Sequence, residues 1–146
     1  MLELEARYRR LPGTRAAVGQ SGAHCVIADR PEGRAGGGGG GFNGGQLLGL
    51  SLGACYCNDL QYTAEAMGVE IEDLDVQVLI DFGGEPTVAK EIEMQVGVTL
   101  ADGGDPAELI ERAAAGCTIA NTLRAGVPVR IVGERRASGR SADLPG

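Results

Sequence analysis

Tryptophan is absent from this sequence, and aromatic residues are limited to two Phe and three Tyr. The core must therefore be built from Leu, Ile, Val and Ala. A nucleic-acid surface needs basic side chains interleaved with aromatic ones, and no such stretch occurs. The net charge of -7 also disfavours a polyanion as partner. No run of 18 apolar residues exists, so no membrane-spanning helix is expected. The N-terminus MLELEARYRRLPG lacks an apolar h-region and a cleavage site, so no secretory signal is expected. The expected compartment is the cytoplasm, where thiols stay reduced. Four cysteines there read as reactive or buried rather than as a disulfide framework.

Histidine occurs once, at His24, and reads as an ordinary polar side chain on a strand. Glycine is the excess, 25 of 146 residues against a usual ~7%. Much of it falls in PEGRAGGGGGGFNGG, Pro31 to Gly45. That composition predicts a flexible loop, unable to form a rigid cradle unaided. No GxxxxGK[ST] accompanies it, which excludes a phosphate-binding P-loop.

A length of 146 residues suits one domain, burying roughly 68–70% of its unfolded surface. Leu2, Leu4 and Ala6 alternate with Glu3, Glu5 and Arg7, which predicts a first strand. Pro12-Gly13 signals a turn, and short strands are expected over Thr14–Gly19 and His24–Ala28. The longest helical segment runs from Gln46 to Met67 and ends at Gly68, a natural C-cap. Its Leu47, Leu48, Leu50, Leu52 and Leu60 fall all round the wheel, as in a helix covered on every side. Alternating patterns then predict strands over Leu74–Phe82 and Ala89–Leu100, joined through Gly83-Gly84-Glu85-Pro86. Asp105 as N-cap, Pro106 at the first helical position and Glu108 open a second helix that reaches about Ala115. Gly116 breaks it, Cys117 to Arg124 forms a short helix, and Val127–Val132 reads as a last strand. Residues 133–146 are polar and read as a disordered tail. The expected class is α+β, with one domain over residues 1–132.

The long helix carries the chemistry. Cys55 and Cys57 stand two residues apart and so point to nearly opposite sides. They cannot clamp one metal ion while the helix holds, which makes a C-x-C zinc site a poor reading. Cys55 shares a face with Leu48, Leu52, Asp59, Tyr62 and Ala66. A carboxylate beside a thiol raises the thiol pKa and is costly to bury. The pair makes chemical sense once an arginine joins it, pairing with Asp59 and favouring the Cys55 thiolate. Against that stands the plain alternative of a small core cysteine and a solvated acid. Cys117 follows Gly116 at a helix start, where free N–H groups favour a thiolate, though a small residue in a tight corner fits equally. Cys25, beside His24, reads as core or incidental.

The stretches GFNGGQLLGLSLGAC (41–55) and AAAGCTIANTLRAGVPV (113–129), in this order of elements, resemble the OsmC/Ohr family of osmotically inducible and organic hydroperoxide resistance proteins. That family shows an N-P-x-E/Q-L-L…A-C helix start and a later C-P-x-S/A-N-x-L segment. The resemblance implies an intertwined homodimer, with curved antiparallel sheets around long central helices and active sites at the interface. It implies a thiol-dependent peroxidase acting on organic hydroperoxides, with Cys55 peroxidatic and Cys117 resolving. It needs no metal or organic cofactor, and a dithiol or carrier protein serves as reductant. A family arginine from the N-terminal strands supports the thiolate; Arg15 matches best by position, with Arg10 and Arg34 as alternatives. Cys57 has no family counterpart. The chain departs from the pattern at three places. Gly45 stands where hydroperoxide-reducing members carry Glu, Gly44 replaces the Pro before it, and Thr118 replaces the Pro after the second Cys. Asp59 is a candidate to replace the missing Glu. The rival readings are a redox-sensing OsmC-like dimer without enzymatic activity and a binding protein for an apolar ligand.

Overall fold

A computed structural model describes residues 2–133. The chain is α+β, as expected. Three short antiparallel strands, β1 (Arg7–Arg10), β2 (Ala17–Ser21) and β3 (His24–Ala28), form one sheet in that order. The helix α1 (Gly44–Met67) follows, then a long antiparallel pair, β4 (Ile71–Gly83) and β5 (Val88–Leu100). Two short helices, α2 (Ala107–Gly116) and α3 (Thr118–Ala125), complete the elements. The expected polar tail lies, past Gly133, outside the described residues.

The differences from the sequence reading have local causes. The first strand starts at Arg7 rather than Leu2, because only Arg7–Arg10 find partners, at Ala17–Gln20 of β2. Leu2 and Leu4 stay exposed. Thr14 belongs to a turn instead of a strand: its hydroxyl donates to the Leu11 carbonyl at 2.9 Å and accepts the Ala16 N–H at 3.1 Å. The helix α1 begins two residues before Gln46, because Asn43 and Gln46 form a reciprocal cap. Gln46 N–H donates to Asn43 Oδ1 at 2.8 Å, and Asn43 N–H donates to Gln46 Oε1 at 2.9 Å. Asp105 does not cap by the expected pattern. Its carboxylate accepts the Ala107 N–H at 2.9 Å, while Glu108 turns to pair with Arg112 at 2.6 Å. Val127–Val132 forms no strand within the chain; Val129 and Ile131 are exposed.

The loop after β3 is a second correction. It is not a free glycine coil. Asp29 Oδ2 accepts the N–H groups of Gly38 and Gly40 at 3.0 and 3.1 Å, and Oδ1 accepts that of Arg30 at 2.8 Å. Main-chain bonds from Gly37 to Arg34 and from Gly39 to Arg30 close the loop on itself. These bonds, that from Gly40 first, hold the Asp29 carboxyl below the usual carboxylate range.

The core sits on one side of α1. Leu52, Tyr56, Leu60 and Ala64 recur every four residues, and all four are buried. They pack against Leu109 and Ala113 of α2, Cys117, Ala120 of α3 and Leu100 at the end of β5. Complete burial of a leucine such as Leu60 stabilises by about 1.5–3 kcal/mol. The Tyr56 hydroxyl donates to the Ile110 carbonyl at 3.1 Å, tying α1 to α2. The all-round cover expected for α1 is not supplied by one chain. A second side faces β4, and Leu50 and Tyr62 are left more than half exposed.

Candidate functional site

Two cysteines separated by 62 positions in sequence meet where α1 crosses the junction of α2 and α3. Cys55 occupies the second turn-pair of α1, one residue before the buried Tyr56. Cys117 is the residue between α2 and α3, with extended backbone (φ -65, ψ 106), and is wholly buried. Gly116, its neighbour, ends α2, as the sequence reading expects. Asp59 follows one turn below Cys55 on the same face, as the spacing requires. The Cys55 thiol donates to Asp59 Oδ2 at 3.6 Å. The two sulfurs and a carboxylate oxygen of Asp59 all lie within 4.8 Å of one another.

The electrostatics favour a protonated Cys117. Burial pushes its thiol up, and the nearby Cys55 and Asp59 push the same way. The Ala120 N–H, at the start of α3, acts in the opposite direction but is outweighed. Burial also raises the Tyr56 hydroxyl, with Cys117 and Cys57 adding to it.

Among the expected site residues, Cys55, Cys117 and Asp59 are brought together, and Arg15 is not. Arg15 lies in the turn before β2. Its side chain covers Gly36, where an added Cβ would stand 2.3 Å from Arg15 Cδ. Its carbonyl accepts a bond from the Arg30 guanidinium. Arg10 is likewise occupied locally, donating to the Thr14 carbonyl at 2.9 Å. Neither Arg10, Arg15 nor Arg34 hydrogen-bonds or pairs with Cys55 or Asp59 within one chain. Cys25 and His24 are exposed on β3, so the core alternative for Cys25 does not hold.

Cys57 points the other way from Cys55, as two-residue spacing demands. It lines an apolar groove of ≈ 750 Å³ between α1 and β4, together with Leu50, Val76, Val78, Phe42 and Phe82. Burial raises the Cys57 thiol too. Phe82 closes the end of this groove over Gly45. A Cβ at position 45 would meet the Phe82 ring at 3.1 Å, so the aromatic edge occupies the space into which a family Glu would start. The sequence reading missed three features around the site: the Asn43–Gln46 cap, the Asp29 anchor and the Tyr56–Ile110 tie. Only the first had a local signal, an Asn followed three residues later by Gln.

The sequence matches the family described as OsmC-like protein over residues 36–132. No curated protein matches it by sequence. Solved structures do match by fold. An OsmC-like protein from Vibrio cholerae has a TM-score of 0.71 at 14% identity, covering 84% of this chain and 94% of that one. An organic hydroperoxide resistance protein from Elizabethkingia anophelis has a TM-score of 0.64 at 20% identity, covering 85% and 89%. The organic hydroperoxide resistance protein OhrB of Bacillus subtilis has a TM-score of 0.57 at 23% identity, covering 84% and 91%. With both cysteine segments inside the matched region, and with the paired strands and long helix of those structures, the chain belongs to the OsmC-like protein family.

Proposed function

We propose that the protein is a thiol-dependent peroxidase that reduces organic hydroperoxides. The observation that carries this reading is the meeting of Cys55 and Cys117 within 4.8 Å. The Cys55 thiolate attacks the terminal peroxide oxygen, the O–O bond breaks, and the alcohol leaves. Cys55 is then a sulfenic acid. The Cys117 thiolate displaces its hydroxyl as water, leaving a Cys55–Cys117 disulfide. A small dithiol or a carrier protein reduces that bond by exchange. The apolar core against which Cys55 packs favours an organic peroxide over hydrogen peroxide.

Cys55 is the better nucleophile of the pair on exposure, being half-buried where Cys117 is sealed. The support expected from Arg15 has to come from a second copy of the chain, since its own Arg15 lies against Gly36. The reading therefore includes a homodimer with sites at the interface.

Mixing the reduced protein with cumene hydroperoxide in a stopped-flow instrument tests this. Wild type is expected to consume one equivalent and to yield a Cys55–Cys117 peptide. Cys55→Ser is expected to lose at least ~100-fold in rate, and Cys117→Ser to stop at a trappable sulfenic acid. A wild-type protein that leaves the peroxide intact would sink the proposal. The apolar groove beside Cys57 favours the second reading, a carrier for an apolar ligand. A fatty-acid probe seated there by a protein inert to peroxide would decide for it.

A further inference from the structure

The same three side chains have a second chemical property, which does not depend on peroxide. Two thiols and a carboxylate converge on one point from rigid elements. Cys55 and Asp59 are one turn apart on α1, and Cys117 is fixed at the α2–α3 junction. Among the described residues this is the one group of three or more His, Cys, Asp or Glu side chains with ligand atoms so close together. Tetrahedral zinc has Zn–S bonds of about 2.3 Å and Zn–O bonds of about 2.0–2.2 Å, so its S···O edge is about 3.5 Å. The observed Cys55 Sγ to Asp59 Oδ2 distance is 3.6 Å.

We propose that the reduced protein binds one thiophilic divalent cation, Zn²⁺ in the first instance, through Cys55 Sγ, Cys117 Sγ and Asp59 Oδ2. The donors differ from the C-x-C pair that the helix forbids; Cys57 has no part in them. Softness selects the metal class: two thiolates with one carboxylate suit zinc and disfavour Mg²⁺ or Ca²⁺. Cys55 and Asp59 are only partly buried, so water can supply the fourth ligand. The cation also resolves the crowding of acidic groups, because its two positive charges replace the two thiol protons that are released on binding.

The consequence is a link between metal and redox state. A metal-bound Cys55 thiolate has its lone pair engaged and does not attack peroxide until the metal leaves. Oxidation follows dissociation of the metal, and the sum of the two steps balances: hydroperoxide, the zinc dithiolate and two protons give the disulfide, the alcohol, water and free Zn²⁺. A disulfide offers no thiolate, so the oxidised protein does not rebind. The binding claim stands apart from the proposed peroxidase activity, and only the inhibition rests on it.

Cobalt(II) makes the site visible. Reduced protein titrated anaerobically with Co²⁺ is expected to develop, at one equivalent per chain, a thiolate-to-cobalt charge-transfer band and intense tetrahedral d–d absorption. Zn²⁺ should displace both. Asp59→Asn and Cys117→Ser should each weaken binding by about tenfold or more, the size seen even for residues that merely support a ligand. Cys57→Ser should leave the titration unchanged. Should a variant fail to fold, footprinting of wild type replaces it: one equivalent of Zn²⁺ should protect Cys55 and Cys117 from alkylation while Cys25 still reacts. Absence of the charge-transfer band, its loss in Cys57→Ser, or alkylation of Cys55 undiminished by Zn²⁺ would overturn the proposal. A protein that binds cobalt at this site yet never consumes a hydroperoxide keeps this proposal and loses the proposed activity.

Discussion

At the scale of single residues, the site places a sealed thiol against a half-exposed one. Cys117 has its pKa raised chiefly by burial, with Cys55 and Asp59 adding to it. The proposed resolving step needs it as a thiolate, so in chelator-containing buffer the rate of sulfenic acid disappearance should still be climbing with pH above the ordinary thiol value of about 8.5. The same shift has a stability consequence. A raised thiol keeps its proton in the fold, so its contribution is full below the ordinary thiol pKa and is lost as pH rises through the folded value. Asp59→Asn removes one repulsion but leaves the burial, so the profile should move only partly towards neutral pH. If the partner's Arg15 is held by Asp59, the same change should slow peroxide consumption about tenfold, or ~1.4 kcal/mol in the barrier. An unchanged pH profile and rate would place Asp59 outside the mechanism.

Gly45 offers a second residue-scale test. The Phe82 ring edge stands 3.1 Å from where a Cβ would be, and Phe82 is half exposed. The ring can therefore turn away at small cost. Replacing glycine inside a helix also gains about 0.5–1 kcal/mol of propensity, and an acid in the first turn suits the helix dipole. Gly45→Glu is thus expected to leave thermal stability equal or slightly higher while displacing Phe82. A drop in Tm of several degrees would show that the ring cannot move.

At the scale of elements, the glycine loop is ordered by one carboxylate rather than by its own sequence. Asp29 gathers N–H groups from positions 30, 38 and 40, which leaves its pKa below the usual range. A lowered carboxylate contributes stability above its ordinary pKa and loses it as pH falls through the folded value. Asp29→Ala should release the loop, and amide exchange at Gly38 and Gly40 should rise by at least ~10-fold while that of α1 stays unchanged. Because Arg15 lies across Gly36, the loosened loop should also lower peroxidase activity if Arg15 serves the site. Exchange at Gly38 and Gly40 that matches wild type would show that the turn bonds alone hold the loop.

At the scale of the whole molecule, one chain leaves much apolar surface without cover. Leu50 and Tyr62 on α1, Phe82 on β4 and the run from Val127 to Val132 are all exposed, Ile131 to 95%. A second copy is the cover proposed, with Val127–Val132 adding a strand to the partner's sheet. The double change Val129→Asp and Ile131→Asp should then shift the protein from dimer towards monomer in sedimentation at micromolar concentration. A wild-type monomer would count against the interfacial site. No described helix is long and apolar enough to cross a membrane.

What could be read from sequence was local. Period-two alternation announced the β4–β5 pair, and a leucine-rich run closed by Gly68 announced α1 and its end. Two-residue spacing alone was enough to send Cys55 and Cys57 to opposite sides of that helix. Boundaries failed where a partner strand decided them, as at Leu2–Arg7 and Val127–Val132, because pairing depends on an edge that sequence does not display. The glycine loop misled for a related reason. Backbone freedom is a property of glycine, but the Asp29 carboxylate that removes it is nine and eleven residues away from two of the groups it binds. Helix spacing paired Cys55 with Asp59, and the family resemblance alone paired Cys55 with Cys117. Only the packing of α1 against α2 and α3 could bring Cys117 to Cys55 and seal it, because side chains 62 positions apart meet through the burial of the apolar faces between them.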